Sequence, residues 1–299
     1  MKKLKKYRYN IHSLLILIVS VVFVAVLGSC ESDIPNDYIP AVFVEAYIFV
    51  DEPIQGIIIQ ASQPVSDSFN YIGSLIRDAR VRVYDSTGSY SLQFRDDSLN
   101  PGYYYPDFEY KVKPNTIYNL EIILNNGETI TGKTKTSGRM NWVKSLQPYI
   151  QYPVDTLKLP PQDSLNYEWM NPGGGFNWYF VRVKCLDTLE YGKYLGGSNE
   201  KNRRTYKPFA TQSRYYNDPV VWAGPLGNNK TPFIWNILKW YGLHEFAVYK
   251  PDSNFGKWFL QVQRGGTYDT RLSNLKGAMG VFGSASVLYD STFILKNQP

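Results

Sequence analysis

Short runs of alternating apolar and polar residues, separated by turn residues, constrain this chain more than any other feature. In Ala79–Tyr84, Arg80 and Arg82 alternate with Val81 and Val83. Strict period two places one face of a strand in a core and the other in water. Further β-rich runs occupy Ala41–Val50, Gly56–Ser62, Tyr90–Phe94, Glu109–Val112, Ile117–Leu124 and Thr129–Thr136. Asp85-Ser86-Thr87-Gly88, Asn100-Pro101-Gly102 and Asn125-Asn126-Gly127 separate them, and each is turn chemistry. About seven short strands at spacings of about 8–12 residues are the pattern of an antiparallel sandwich. A first, immunoglobulin-like β-sandwich is expected over residues 38–136.

The chain has 299 residues, enough for about two domains. Residues 137–299 read as a second β-rich domain. Tyr167–Trp169, the turn Asn171–Gly175 and the long run Asn177–Leu186 have fibronectin-like logic. Glu245–Tyr249, Trp258–Gln263, Val281–Tyr289 and Thr292–Leu295 read as further strands, and Tyr191–Asn229 as a less regular stretch. One short helix is expected to open at Thr231-Pro232 and close at Gly242. Thr can cap, Pro suits the first turn, and Gly suits the end. Phe233, Ile234, Ile237, Leu238 and Tyr241 would share its face. The expected class is all-β, two sandwich-like antiparallel domains with one short helix in the second.

The first thirty residues carry a different message. Lys2, Lys3, Lys5, Lys6 and Arg8 precede an apolar run, Leu14–Leu27, broken only by Ser20. That run has the length of a signal-peptide core and is short for a spanning helix. It ends in Leu27-Gly28-Ser29-Cys30, a branched apolar residue, two small residues and a Cys: a lipobox. The small residues let a peptidase reach the backbone before the Cys, whose thiol takes a diacylglyceryl group as a thioether. Residues 1–29 are therefore expected to be a lipoprotein signal peptide and residues 30–37 a polar tether. Each buried methylene contributes ~0.8 kcal/mol, and two or more chains hold a protein on a membrane stably. Glu31 and Asp33, directly after Cys30, look like the surface-export signal of Bacteroidota lipoproteins.

Removal of the leader changes the electrostatics. The chain carries 32 Lys and Arg against 26 Asp and Glu, a net +6. The leader holds five of the bases and no acid, which leaves 27 against 26, a net +1. Net charge then gives no case for a nucleic-acid partner. Two Cys exclude a disulfide scaffold, and two His exclude a His-clustered metal site. With Cys30 acylated, Cys185 stands alone in an alternating run and reads as a small buried hydrophobe; a nucleophile would need a basic partner from elsewhere in the fold. A Ser-His-Asp hydrolase would have to use His244, yet no Gly-x-Ser-x-Gly elbow occurs. Asp96-Asp97 precedes Asn100-Pro101-Gly102 and reads as turn chemistry. Gly173–Gly175 and Gly196-Gly197 lack the Lys-Ser/Thr and the helix of a phosphate cradle. No catalytic, metal or cofactor site is expected.

One stretch stands above this background. Lys193, Lys201, Arg203, Arg204, Lys207 and Arg214 interleave with Tyr191, Tyr194, Tyr206, Phe209, Tyr215 and Tyr216. Arg and Tyr are common anchors of interfaces, aromatic faces stack on sugars, and Arg grips anions bidentately. The same residues also fit a solvated loop with ordinary packing aromatics. Lys201, Arg203, Arg204, Tyr206, Arg214, Tyr215 and Tyr216 form the candidate interaction surface.

Several pieces resemble a Bacteroidota family of outer-membrane lipoproteins known as domain of unknown function 4249. They are the lipobox with its acidic residues, Val44-Glu45-Ala46 with Ile57-Ile58-Ile59, Asp78–Gly88, Pro101–Tyr104, Tyr118–Ile122 and a closing Gly-rich motif, Ser273–Gly283. The likeness extends over nearly the whole mature chain. The glycines suit bends or close backbone approach beside a strand, which is packing and not catalysis. The resemblance carries over no catalytic residue. It implies an accessory role beside a TonB-dependent receptor at the outer membrane, on the cell surface or facing the periplasm. Two readings result: a binding module for a membrane transporter, and a glycan-binding or adhesive lipoprotein using Tyr191–Tyr216.

Overall fold

The computed structural model describes residues 38–97, 99–153, 165–174, 176–186, 220–224, 229–235, 238, 241–263 and 269–295. The leader, Cys30 and the tether lie outside them. Residues 1–40 and 41–299 form separate units, and every described strand and helix belongs to the second.

The chain is mostly β, in sheets that are largely antiparallel. The expected strands form where alternation is strict. In β3 (Arg80–Tyr84), Val81 and Val83 are buried while Arg80 and Arg82 face water. Arg82 grips Glu121 across the ladder, with bonds of 2.7 and 2.9 Å. β4 (Ser89–Arg95), β6 (Ile117–Ile123) and β7 (Thr129–Lys135) obey the same rule. Asp85 Oδ1 accepts the Thr87 and Gly88 amides and so closes the β3–β4 turn. With β5 (Gly102–Tyr104), these strands form a sheet of order β5-β4-β3-β6-β7. Glu109–Val112 is not a strand; only Val112 makes a bridge, to Val50.

A seven-stranded sheet runs through the rest of the body. It contains β1 (Val42–Phe49), β2 (Ile58–Ala61), β9 (Tyr149–Gln151), β11 (Tyr179–Cys185), β12 (Val220–Gly224), β14 (Gly242–Pro251) and β15 (Met279–Leu295). A single helical turn, α1 (Tyr71–Ser74), lies between β2 and β3. The organising member of the sheet is β15. The segments expected as separate strands, Val281–Tyr289 and Thr292–Leu295, are parts of this one 17-residue strand. Along one edge it pairs with β14, from Ala285 to Ile294. Along the other edge its first half pairs in parallel with β1, Phe43↔Met279 to Phe49↔Ala285. Its last residues pair in parallel with β9. Residues 38–136 and 137–299 therefore share a sheet.

Each core draws mainly on one side of that boundary, but the first also takes Phe282 from β15. The five-stranded sheet covers β1 and the start of β15, closing a core that includes Val44, Ile48, Val83, Tyr118, Leu120 and Phe282. A small sheet of β8 (Trp142–Lys144), β10 (Asn166–Trp169) and β13 (Lys230–Pro232) covers β11, β14 and the end of β15. That second core includes Trp169, Val181, Phe233, Phe246, Val248 and Ile294. Phe282, Leu288 and Ile294 are even-numbered residues of one strand, so both cores lie on the same face of the central sheet.

Helix α2 (Ser253–Gln263) packs on the opposite face. Here the structure corrects the sequence reading twice. Trp258–Gln263 is the end of this helix and not a strand. Phe255 and Phe259, four residues apart, stack on Phe180 with ring centroids at 5.6 and 4.3 Å. Asp252 caps the helix by accepting the Phe255 amide at 2.9 Å. The helix expected from Thr231 to Gly242 does not form at those ends, because Thr231 and Pro232 pair with β10 in β13 and Gly242 opens β14. Phe233, Leu238 and Tyr241 are all buried in the second core. Among the described residues no helix is long and apolar enough to cross a membrane.

The closing Gly-rich motif is packing, as its residue types imply. Gly280 has φ +131° opposite Val44, and a Cβ there would overlap the Val44 carbonyl. Gly127 has φ +89° with nothing near its missing Cβ. Gly127→Ala is expected to lower unfolding free energy by about 1 kcal/mol, the left-handed backbone penalty. Gly280→Ala is expected to cost roughly 3 kcal/mol, because β1 must also move. Urea unfolding of the two variants checks the order; equal losses would contradict the role given to the β1–β15 approach.

Candidate functional site

Between the two cores, β15 turns from apolar to polar. Ser284 and Ser286 sit on the same face as Phe282 and Leu288, and both are buried. Buried hydroxyls need partners, and the neighbouring strands supply them. Thr134, at the end of β7, donates from Oγ1 to Asp252 Oδ2 at 2.8 Å and lies 2.9 Å from Ser284 Oγ. Asp252 Oδ1 also accepts the Ser284 amide at 3.2 Å, beside the Phe255 amide that caps α2. Ser286 Oγ donates to the Gly138 carbonyl at 2.5 Å, and Ser137 Oγ stands 2.9 Å from Ser286 Oγ. One carboxylate and four hydroxyls thus join β7, β15 and the start of α2.

Outside this joint opens a cleft of about 660 Å³. Lys133–Ser137 of the β7 edge, the Pro172–Gly174 turn and Asp252–Asn254 line it. Burial raises the Asp252 carboxyl above its usual range, and the amide and Thr134 hydrogen bonds oppose that shift. Burial likewise lowers Lys250, whose ammonium lies 4.6 Å from the centroid of the Tyr179 ring. Asp252 is spent on capping and on the joint, so its role here is structural. Among the described residues no His, Cys, Asp and Glu cluster could hold a metal.

The structure treats the residues singled out in the sequence unevenly. Leu27, Gly28, Ser29, Cys30, Glu31 and Asp33 lie outside the described residues, as do Lys201, Arg203, Arg204, Tyr206, Arg214, Tyr215 and Tyr216. Asp97 Oδ1 accepts the Leu99 amide at 2.9 Å, which is the turn chemistry expected of Asp96-Asp97. Cys185 is buried, as its strand position implied. Its register partner on β14 is His244, and the next partner on β15 is Thr292. The fold thus brings together the Cys and the His that stand far apart in the sequence. Both are buried; His244 Nδ1 faces the Gly242 carbonyl at 2.9 Å and carries the proton there. Thr292 Oγ1 donates to the Gln147 carbonyl at 2.6 Å.

The joint yields a test with a definite sign. A carboxyl whose pKa is raised by folding binds protons more tightly in the folded chain. Stability from that group is therefore lost as pH climbs from the ordinary value of 3.8 through the raised one. Asp252→Asn keeps the cap acceptor and cannot ionise. Its unfolding free energy relative to the parent chain is expected to improve as pH rises above about 4 and to level off once the raised value is passed, read by urea unfolding. A difference that does not change with pH would contradict the buried-carboxyl assignment.

No curated protein matches the chain. The family match runs from residue 29, beside Cys30, to residue 234, so it leaves out the closing Ser273–Gly283 motif that the resemblance had included. It nonetheless spans well over half of the sequence, and the chain belongs to the family described as Domain of unknown function (DUF4249), matched over residues 29–234.

Proposed function

We propose that the chain is an outer-membrane lipoprotein whose body is a non-catalytic binding module, accessory to a TonB-dependent transporter. The observation that carries this reading is Leu27-Gly28-Ser29-Cys30 at the end of a basic-then-apolar leader. Acylation of Cys30 would hold the β-rich body on the bilayer without any spanning helix. The family match opens at residue 29, which leaves nearly all of the leader outside it, as suits a segment that is cut away. The reactive side chains that the structure brings together support a quiet body. Asp252 caps a helix and ties a joint, and His244 and Cys185 lie buried in a ladder. The resemblance brings the transporter, and the basic, aromatic stretch Lys201–Tyr216 is the surface assigned to it. That surface also fits the glycan reading, which a glycan array with Arg203→Ala and Arg204→Ala separates from a protein contact.

Radiolabelled palmitate is expected to enter the wild-type chain and not a Cys30→Ala chain. The variant is expected to keep its leader and to leave the outer-membrane fraction. Normal maturation of Cys30→Ala, or no label in the wild type, would overturn the anchor. An integral outer-membrane protein is expected to co-purify with the gently solubilised wild type and to be lost with Arg203→Ala and Arg204→Ala together; recovery of the wild type alone would overturn the accessory role.

A further inference from the structure

One end of the first sandwich carries several largely exposed apolar side chains. The loop between β2 and β3, residues 62–74, leaves from Ala61 and returns beside Gln60, whose bridge partner is Leu75. Val65 is fully exposed, Phe69 is 73% exposed and Ile72 is 46% exposed. Leu99, in the β4–β5 turn, is 84% exposed. Tyr71 and Leu99 line one shallow cleft with Arg95 and Tyr104, so the loop and the turn share a surface. Arg95 stacks over both Tyr104 and Phe108, with centroids at 5.2 and 5.3 Å. Isolated exposed apolar residues are ordinary; four within one loop and the turn beside it point to a contact surface.

The loop is built to present these side chains. Gln63 and Asn70 clamp its base through two reciprocal bonds of 2.8 Å. Asn70 caps the single turn α1 through the Gly73 amide at 2.9 Å. The Asp67 amide donates to the Pro64 carbonyl, and Arg77 donates to the Ile72 carbonyl at 2.8 Å. Polar backbone groups that are satisfied within a loop can leave bulk water without being orphaned.

The chain also enters the body at this end. The Ala41 amide donates to Ser62 Oγ, and the Ser62 amide donates back to the Ala41 carbonyl, both at 2.8 Å. Ten residues lie between Cys30 and Ala41, and the eleven steps give a reach of at most about 40 Å when fully extended. A lipid on Cys30 therefore keeps the first residue of this loop within that reach of the bilayer. The mixture of apolar tips with Tyr and Arg is that of a membrane–water boundary.

We infer that this end of the first sandwich, with Val65, Phe69, Ile72 and Leu99 at its tips, is seated in the headgroup region of the bilayer that holds Cys30. The inference rests on the lipoprotein reading and adds an orientation to it: the first sandwich faces the membrane and the turn Asp85–Gly88, at the far end of β3, points away. Cys185 is buried and Cys30 is consumed by the lipid, so a single introduced thiol can be labelled. The full chain, expressed with its leader, carries Phe69→Cys, Ile72→Cys or, as a control, Ser86→Cys, each bearing a polarity-sensitive fluorophore. It is reconstituted into vesicles of phosphatidylethanolamine and phosphatidylglycerol only. A blue shift and a gain in emission, quenched by spin-labelled lipid, are expected at positions 69 and 72 and not at 86. The mass of the N-terminal peptide reports acylation separately. With acyl chains present, a water-like signal at 69 and 72 overturns the orientation while the anchor stands. The same holds if the shift arises only in native membranes that contain proteins, which assigns the surface to a protein partner. Absence of acyl chains removes the anchor, and the orientation falls with it.

Discussion

The hydrogen-bond ladder of β15 is the constraint on which the rest of the body depends. A strand has two edges, and this one uses both, largely over different stretches. β14 takes one edge from Ala285 to Ile294, while β1 and then β9 take the other. Each pairing fixes which residues face the cores, because a slip of one residue would turn every side chain to the other face. Phe282 enters the first core and Ile294 the second, on the same face of the same strand. Neither core can be assembled without the register that serves the other.

The join between the cores is polar for a physical reason. An apolar run along all of β15 would leave its middle facing the edge of β7, where backbone and hydroxyl groups need partners. Ser284 and Ser286 supply them, and Asp252 ties the same spot to the first turn of α2. On the opposite face Gly283 lets α2 close in; a Cβ there would stand 2.7 Å from the Phe255 Cβ. Helix, joint and strand pairing are thus set within a few residues of one another. The cleft beside β7 is the outer surface of this joint.

Much of the fold was legible from alternation and turn chemistry. Val81 and Val83 against Arg80 and Arg82, or the Asp85–Gly88 turn, need no knowledge of the rest of the chain. The features that stayed hidden depended on distant partners. The parallel pairing of β1 with β15 links the two ends of the body, and only Gly280 hinted at it. Helix α2 was hidden because Trp258–Gln263 looks β-like when read alone; the cap at Asp252 and the step from Phe255 to Phe259 begin just upstream. Thr231-Pro232 and Gly242 imitated the ends of a helix because cap and stop residues also serve in strands, whose partners lie far off in the sequence. Of the candidate site, the lipobox and the basic, aromatic stretch are sequence features outside the described residues, whereas the Asp252 joint and the Cys185–His244 pairing had no local signature.

The body is ruled by one shared strand, whatever its surfaces meet. A rigid, jointly folded body would transmit the orientation of one end to the other, which a pair of loosely linked domains would not. Hydrogen exchange of the leaderless chain in rising urea tests this most directly. Amides of the β3–β6 ladder report the first core and amides of the β11–β14 ladder the second. If both cores depend on β15, the two sets converge on one global unfolding transition with the same midpoint and slope. Two separate transitions, with the first ladder still protected after the second has opened, would contradict the shared-strand account.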